Sequence, residues 1–359
     1  MPVPRRDLEL TRKRLSKWLA TKLPDAEDLR MSALAGPGAT GFSNDTLMFD
    51  LAWTEGGRER RDELVVRIKP TGFQVFPEYD LGQQFEIMRI LGQTDVPVPR
   101  VFWMEEDESI LDAPFYVMQR VSGRIPPDHP TYHTEGWVKE IPPEDRASIW
   151  WDGLEALIRI HCLDWQALGF DFLAESPSGK NPLEQQLAYY ERYLAWAGEG
   201  KPQPTAEPAL EWLKKSQPAI ERVGLCWGDS RLGNMIFRDN RCVAVLDWEM
   251  ATLADPEQDF AWWLFFDHHH SVGAGVPRIP GFPSREETQA RYEERTGHKV
   301  RNLRYYEVFA AFRFAVIMIR VAKLAAAYGI LPAESDFETN NTCTRLLAGM
   351  LDLPPPGNQ

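Results

Sequence analysis

The sequence predicts an α+β protein of two lobes, in which an N-terminal antiparallel β-sheet with one main helix precedes a larger helical lobe. The chain has 359 residues, which is long for a single hydrophobic core. Short apolar runs separated by turn residues dominate the first third, whereas apolar residues at helical spacing dominate the remainder. We therefore expect a first lobe over residues 1–121 and a second over residues 122–359.

Five apolar runs predict the strands of the N-terminal sheet. They lie at residues 29–35, 47–53, 64–69, 98–104 and 115–121. Residues 77–91 carry apolar side chains at helical spacing and predict the main helix of this lobe. A shorter apolar stripe over residues 5–21 predicts a helix that packs on the first lobe rather than one that lies on a membrane surface.

Composition excludes several classes of protein. A net charge of −13 argues against a nucleic-acid partner. The most apolar stretch, residues 314–331, contains Arg320 and Lys323, so no membrane-spanning helix is expected. The first residues show no apolar signal core, and the four cysteines have neither disulfide-scaffold density nor metal-site spacing. We expect a cytoplasmic protein with reduced thiols.

Residues 226–248, CWGDSRLGNMIFRDNRCVAVLDW, carry the strongest signal for chemistry. Two short apolar runs joined by the turn RDN predict a β-hairpin within this stretch. Asp229 and Asn234 precede the hairpin, and Asp247 ends it. Three polar side chains at these positions can converge on one point.

This set of side chains suits the transfer of a phosphoryl group to a hydroxyl. An Asp can accept the proton of the attacking hydroxyl, and an Asn and a second Asp offer the oxygen ligands that magnesium prefers. The order Asp, four residues, Asn and then a strand-ending Asp matches the catalytic and metal-binding pattern of the protein kinases. We expect Asp229 to be the catalytic base, and Asn234 and Asp247 to bind magnesium.

WGDSRLGN and VLDWE resemble the HGDxxxxN and (I/V)DWE motifs of the aminoglycoside phosphotransferase and choline kinase-like family, especially its branch linked to acyl-CoA dehydrogenases. Further segments resemble that branch in the same order, namely GFSNDT (41–46), VVRIKP (65–70), VPVPRVFWM (96–104), FYVMQRVSG (115–123) and DPEQDFAW (255–262). The ordered set covers most of the chain from about Gly36 to Trp263. The resemblance implies a protein-kinase-like fold and ATP- and magnesium-dependent phosphorylation of a hydroxyl on a small molecule.

The resemblance also implies a set of nucleotide-binding residues. They are Ser43, Asn44, Arg67, Lys69, Gln84, Gln119 and Val121. Ser43 and Asn44 lie in the turn that covers the phosphates, and backbone groups near Val121 are expected to contact adenine. Arg67 matches the usual phosphate-binding lysine, although strand alternation also allows Lys69 to reach phosphate.

Two positions depart from the family pattern. Trp227 stands where the family usually has a His, and Gln84 stands where it usually has the Glu that pairs with the phosphate-binding lysine. An arginine needs less support than a lysine because its planar guanidinium can form two parallel bonds to phosphate. We expect Gln84 to accept a hydrogen bond from Arg67 and so to rebuild this pair in neutral form.

Other parts of the second lobe have implied roles. Residues 124–145 form a long polar, Pro-rich stretch that predicts a lid or a substrate edge. His161, Asp164 and Asp259 correspond to residues that brace the catalytic loop in the family.

The sequence leaves alternatives open for the phosphate acceptor and for the activity itself. Acidic composition suggests an aminoglycoside-like amine as the acceptor, whereas the dehydrogenase-linked branch suggests a hydroxyacyl compound. Trp227 and Gln84 leave open a nucleotide-binding pseudokinase with a regulatory role. A protein substrate is disfavoured because the sequence has no clear activation segment. The oligomeric state is not predicted.

Overall fold

The computed structural model describes residues 6–36, 45–174, 181–332 and 334–357. Its N-terminal part contains a five-stranded antiparallel sheet, and its C-terminal part is mainly helical. The strands of this sheet are β1 (Glu27–Met31), β2 (Asp45–Glu55), β3 (Arg58–Ile68), β4 (Val101–Glu105) and β5 (Phe115–Gln119). The predicted α+β class and the order of the two parts are confirmed.

The other elements surround or follow this sheet. The helices are α1 (Leu8–Lys22), α2 (Leu81–Leu91), α3 (Glu108–Leu111), α4 (Trp137–Glu140), α5 (Pro143–His161), α6 (Pro182–Gly198), α7 (Ala206–Lys215), α8 (Glu257–His270), α9 (Arg285–Thr296), α10 (Leu303–Ala327) and α11 (Thr342–Met350). The short strands of the C-terminal part are β6 (Gly224–Cys226), β7 (Met235–Arg238), β8 (Arg241–Val245) and β9 (Thr252–Ala254). The hairpin predicted before Asp247 is confirmed as the β7–β8 pair.

The sheet has the strand order β1-β2-β3-β5-β4, and all its neighbouring strands are antiparallel. β2 and β3 are longer than predicted and meet at Gly56 and Gly57, whose positive φ angles favour glycine. β4 begins at Val101 rather than at residue 98, because Pro99 has no N–H group to donate to a neighbouring strand.

The two faces of β3 have different environments. Leu64 and Val66 lie on the face of the sheet that packs against α1, in a core cluster with Leu15 and Trp18 of that helix. We call this the outer face. The helix predicted near the N-terminus therefore packs on the sheet, as expected. Arg67 lies on the inner face and is 8% exposed. This alternation directs the guanidinium of Arg67 towards the helical part.

The connection between β3 and α2 ties the sheet to the helical part. Tyr193 of α6 donates a hydrogen bond from its hydroxyl to the carbonyl of Val75, at 2.6 Å. Arg320 of α10 donates from Nε and Nη2 to the carbonyl of Gln74, at 3.1 and 3.0 Å. Its guanidinium also lies 4.1 Å from the ring centre of Trp196. These contacts fix the entry to α2 against two helices.

A second connection follows β5, where the chain passes into the helical part. The backbone groups of Arg124 and Phe237 exchange two hydrogen bonds, at 2.7 and 2.8 Å, so this segment pairs with β7. A side chain at Gly123 would clash with Ile236 and with the carbonyl of Phe237. Glycine therefore allows the inter-lobe connection to lie directly on the β7–β8 hairpin.

The helical part is built around α8 and α10, which are both largely buried. The long central helix predicted from residue 305 to residue 327 is confirmed as α10. Across the described ranges, no helix is long and apolar enough to span a bilayer.

Candidate active site

The loop between β6 and β7, residues 227–234, contains the predicted catalytic base Asp229 and the predicted metal ligand Asn234, and we refer to it as the catalytic loop. Gly228 has φ +93, and a side chain there would clash with the carbonyl of Met250. Arg313 of α10 is buried and donates a hydrogen bond from Nη2 to the carbonyl of Gly228, at 2.9 Å. Position 228 thus requires glycine because of its positive φ angle and because the segment around Met250 lies close to its backbone.

Asp259, on the first turn of α8, anchors the start of this loop. Its carboxylate accepts hydrogen bonds from the backbone N–H groups of Trp227 and Gly228. The Nε2 atom of His161 lies 3.4 Å from the same carboxylate, and Nδ1 lies 2.8 Å from the hydroxyl of Tyr292. Burial lowers the pKa of His161, which favours the neutral imidazole.

The expectation for Asp164 is wrong. This side chain is exposed, and its carboxylate accepts a hydrogen bond from the N–H group of Ala167 in the turn that follows α5. Asp164 therefore caps a local turn and does not contact the catalytic loop. His161 and Asp259, by contrast, form the brace that the resemblance implied.

Asp229 is held by donors from three residues. Its carboxylate accepts from Trp262 Nε1 at 2.8 Å, from Asn234 Nδ2 at 2.6 Å and from Arg231 Nε at 2.9 Å. Trp262 lies three residues after Asp259 on α8, so one helix positions both the loop and the side chain of Asp229. Together these donors hold the carboxylate in one orientation.

Arg231 joins Asp229 to the segment that was predicted to be a lid. Its Nη1 atom forms an ion pair with Asp128, in addition to the bond from Nε to Asp229. Burial alone would lower the pKa of Arg231, but the two carboxylates outweigh it and raise the pKa above its usual value. A side chain at Gly233 would clash with the carboxylate of Asp128, so glycine allows this contact.

Sequence reasoning missed Arg231, Trp262 and Asp128. Arg231 had a local signal, since it is a charged residue between Asp229 and Asn234. Asp128 and Trp262 had none, because they reach the site only through the tertiary fold.

Asn234 and Asp247, the two predicted magnesium ligands, are brought close together by a backbone contact. Asn234 donates from Nδ2 to Asp229, which leaves its Oδ1 atom as a possible ligand. The N–H group of Leu246 donates to the backbone carbonyl of Asn234 at 2.9 Å, and this contact brings Asp247 next to it. One carboxylate and one carboxamide oxygen suit magnesium, which keeps water and phosphate oxygens as its other ligands. In the ranges that the structure covers, no cluster of three or more His, Cys, Asp or Glu side chains is arranged for a metal.

Arg67 reaches this loop from β3. Its Nη1 atom lies 2.7 Å from Asp247 Oδ1, and its Nη2 atom lies 3.8 Å from Glu249 Oε2. Burial alone would lower the pKa of Arg67, but the nearby carboxylates, Asp247 above all, raise it. Arg67 is therefore a permanent positive charge beside the predicted metal ligand.

The neutral pair expected between Arg67 and Gln84 is not formed. Gln84 lies on the buried face of α2 and is 1% exposed, yet neither amide atom has a hydrogen-bond partner among the described residues. Arg67 is paired with Asp247 and lies near Glu249 instead. A helical pattern could place Gln84 on the correct face of α2, but it could not show which carboxylate would reach the guanidinium.

The other predicted nucleotide-binding residues differ in position. Lys69 follows the last residue of β3 and is half-buried, and its N–H group donates to the carbonyl of Pro114. Ser43 and Asn44 lie outside the described residues. Whether these three side chains contact a nucleotide stays a prediction.

The start of the inter-lobe connection has a backbone N–H group that is available to a ligand. The N–H groups of Gln119 and Arg120 donate to the carbonyls of Arg100 and Glu63, at 2.8 and 2.9 Å. The N–H group of Val121 makes no hydrogen bond with a described residue. Val121 can therefore donate to a ligand just beyond the end of β5.

The chain is similar to known proteins over most of its length. Residues 38–297 match the model of the phosphotransferase enzyme family. Mouse acyl-CoA dehydrogenase family member 10 is 30% identical over 83% of this chain, and the rat family member 11 is 28% identical over 80% of it. The matches cover 28% and 37% of those two proteins, so the chain spans about a third of the length of these curated relatives.

A solved structure has the same fold over nearly its whole length. It comes from a Ralstonia eutropha protein assigned to the aminoglycoside phosphotransferases, with a TM-score of 0.66 and 24% identity. The alignment covers 94% of this chain and 95% of that one. The protein-kinase-like two-lobed fold expected from the resemblance is thereby confirmed.

The brace of the catalytic loop can be tested by comparing Asp259→Asn with Asp164→Asn. A carboxamide in place of the Asp259 carboxylate could accept only one of the two backbone N–H bonds and would carry no charge. We expect Asp259→Asn to lower the free energy of unfolding by about 2 kcal/mol, the scale of a lost hydrogen bond to a charged group. Asp164→Asn should change it by less than about 0.5 kcal/mol, as is usual for an exposed site. Urea denaturation of both variants measures these changes, and equal losses would contradict the assignment.

Proposed function

The chain belongs to the phosphotransferase enzyme family, and from this premise we propose that it is an ATP- and magnesium-dependent kinase that phosphorylates a hydroxyl of a small molecule. The observation that carries the proposal is the convergence of Asp229, Asn234, Asp247 and Arg67 from three different segments on one site. Phosphoryl transfer needs these groups because its catalysis depends on positioning and on charge neutralisation.

In this proposal the nucleotide lies between the sheet and the β7–β8 hairpin. The unpaired N–H group of Val121 would donate to the adenine ring, with Gln119 beside it. Arg67 would turn from Asp247 to the phosphates, for which its guanidinium is suited in charge and shape. Ser43, Asn44, Lys69 and Gln84 are kept as further nucleotide contacts on sequence grounds. The division of the lobes at residues 121 and 122 is also retained as a proposal.

Asn234 Oδ1 and the Asp247 carboxylate would hold magnesium. When bound, the ion would neutralise charge on the phosphates. Its removal from the solution should therefore weaken nucleotide binding, because Asp247 and the phosphates would repel each other.

Asp229 would receive the proton of the acceptor hydroxyl. The hydroxyl oxygen forms a bond to the γ-phosphorus, the bond from that phosphorus to the β–γ bridging oxygen breaks, and ADP leaves. Arg231, Asn234 and Trp262 would keep the carboxylate aimed at the hydroxyl. A carboxylate has room for a further donor beside these three, so the acceptor hydroxyl can be accommodated.

Two acceptor classes remain in the proposal. The net charge of −13 favours a hydroxylated amine of the aminoglycoside type. The relatives named as acyl-CoA dehydrogenase family members favour a hydroxyacyl compound. Parallel assays of ADP formation with hydroxylated amines and hydroxyacyl thioesters would decide between them. A cytoplasmic location and the absence of a nucleic-acid partner stay sequence-based predictions.

A second candidate function is that of a nucleotide-binding pseudokinase. It is favoured by Gln84, which leaves Arg67 without the usual carboxylate from α2. This candidate predicts ATP binding without phosphoryl transfer to any acceptor, so the same assays separate it from the kinase.

The role of Asp229 is tested by Asp229→Asn, with Asp239→Asn as the matched control. Asp239 is an exposed residue in the turn of the β7–β8 hairpin, so it undergoes the same chemical change away from the site. Asp229→Asn should reduce kcat about a hundredfold or more, the scale of a general base, with ATP affinity nearly unchanged. The control should keep wild-type kinetics. Normal turnover by Asp229→Asn would remove this residue from the mechanism.

The choice between the two phosphate-binding candidates is tested by Arg67→Met and Lys69→Met. We expect Arg67→Met to weaken ATP binding at least tenfold, or about 1.4 kcal/mol, because a buried charge is lost. Lys69→Met should change the affinity less than threefold, because this side chain lies beyond the strand and nearer to solvent. Titration calorimetry with ATP measures both. The reverse ranking would assign the phosphate contact to Lys69.

A further inference from the structure

Trp227, which stands where the family usually has a His, makes a specific polar contact. The side chain is completely buried, and its indole N–H donates to the backbone carbonyl of Leu246 at 2.7 Å. Leu246 is the residue before Asp247. Trp227 thus binds the peptide group between Leu246 and Asp247, and Asp247 is the predicted metal ligand.

Asn234, the last residue of the catalytic loop, binds the other polar backbone group of Leu246. The N–H group of Leu246 donates to the backbone carbonyl of Asn234 at 2.9 Å. Both polar backbone groups of Leu246 are therefore bonded to the loop, one to Trp227 and one to Asn234. The plane of the peptide bond between Leu246 and Asp247 cannot rotate without breaking the indole contact.

Asp247 needs such support because its backbone is strained. Its φ angle is +56, in the left-handed region. A residue other than glycine pays on the order of 1–3 kcal/mol for such a conformation, and it persists only where the surroundings enforce it. Rotation of the preceding peptide would relieve the strain and move the carboxylate away from Arg67.

Packing alone does not account for the indole contact. Trp227 also packs on Trp248, at 6.0 Å between ring centres, and a phenyl ring could retain much of that contact. The indole N–H is a donor only, and a buried donor needs a partner. A His side chain can offer a similar donor, because imidazole Nε2 and indole Nε1 occupy equivalent positions two bonds from Cγ in their five-membered rings.

We propose that Trp227 is a positioning residue, whose indole N–H sets the orientation of the Asp247 carboxylate for magnesium. This inference rests on the proposed function, since it concerns the metal of the same site. Trp227 does not touch the reacting atoms and acts through Leu246.

The test compares Trp227→Phe, which removes the donor and keeps a large ring, with Trp227→His, which keeps a donor on a smaller ring. Calorimetry at pH 8, where a buried imidazole is neutral, measures ATP affinity with and without magnesium. For Trp227→Phe we expect affinity without magnesium within twofold of wild type, and the tightening by magnesium reduced at least tenfold. Trp227→His should recover most of that tightening. Replacement of Trp227 by 3-benzothienylalanine, which keeps the ring shape but lacks the N–H, should behave like Trp227→Phe if the smaller rings impair folding.

The possible outcomes separate this inference from the proposed function. If magnesium tightens ATP binding equally in wild type, Trp227→Phe and the benzothienyl variant, the inference is overturned and the proposed function stands. If Trp227→His is impaired more than Trp227→Phe, side-chain volume rather than the donor governs the site, and the inference is again overturned. If magnesium has no effect on ATP binding by the wild type, the proposed function fails, and the inference fails with it.

Discussion

The rest of the candidate site depends on the carboxylate of Asp259 and on the hydrogen bonds that it accepts. It is fully buried and accepts the backbone N–H groups at the start of the catalytic loop, while Trp262 on the same helix binds Asp229. The loop then binds both polar backbone groups of Leu246, and the next residue, Asp247, pairs with Arg67 from the sheet. A continuous series of polar contacts therefore runs from α8 through the catalytic loop and Leu246 to β3, and each contact sets the position of the next.

The charged side chains of the candidate site form two similar groups. Arg67 lies between Asp247 and Glu249, and Arg231 lies between Asp229 and Asp128. Each group has one guanidinium and two carboxylates, and all four carboxylates are half-buried. In each group the guanidinium offsets part of the cost of removing the carboxylates from water.

The sequence predicted the fold class, the five-stranded sheet, the β7–β8 hairpin and the central helix, because each has a local apolar pattern or turn. It also predicted which residues of the catalytic loop would cluster, since Asp229 and Asn234 are close along the chain. Contacts between distant segments could not be predicted in this way. Asp128 reaches Arg231 across more than a hundred residues, and the partner of Arg67 proved to be Asp247, at the end of the β7–β8 hairpin, rather than a residue of α2.

The central claim is that Arg67, Asn234 and Asp247 form one site for a nucleotide and a divalent cation. A crystal structure with ADP and manganese, located by its anomalous scattering, tests this claim most directly. The account predicts manganese bound to Asn234 Oδ1 and to the Asp247 carboxylate, with Arg67 turned from Asp247 to a phosphate oxygen. Manganese bound elsewhere, or a phosphate chain that leaves the ion pair between Arg67 and Asp247 intact, would contradict the account.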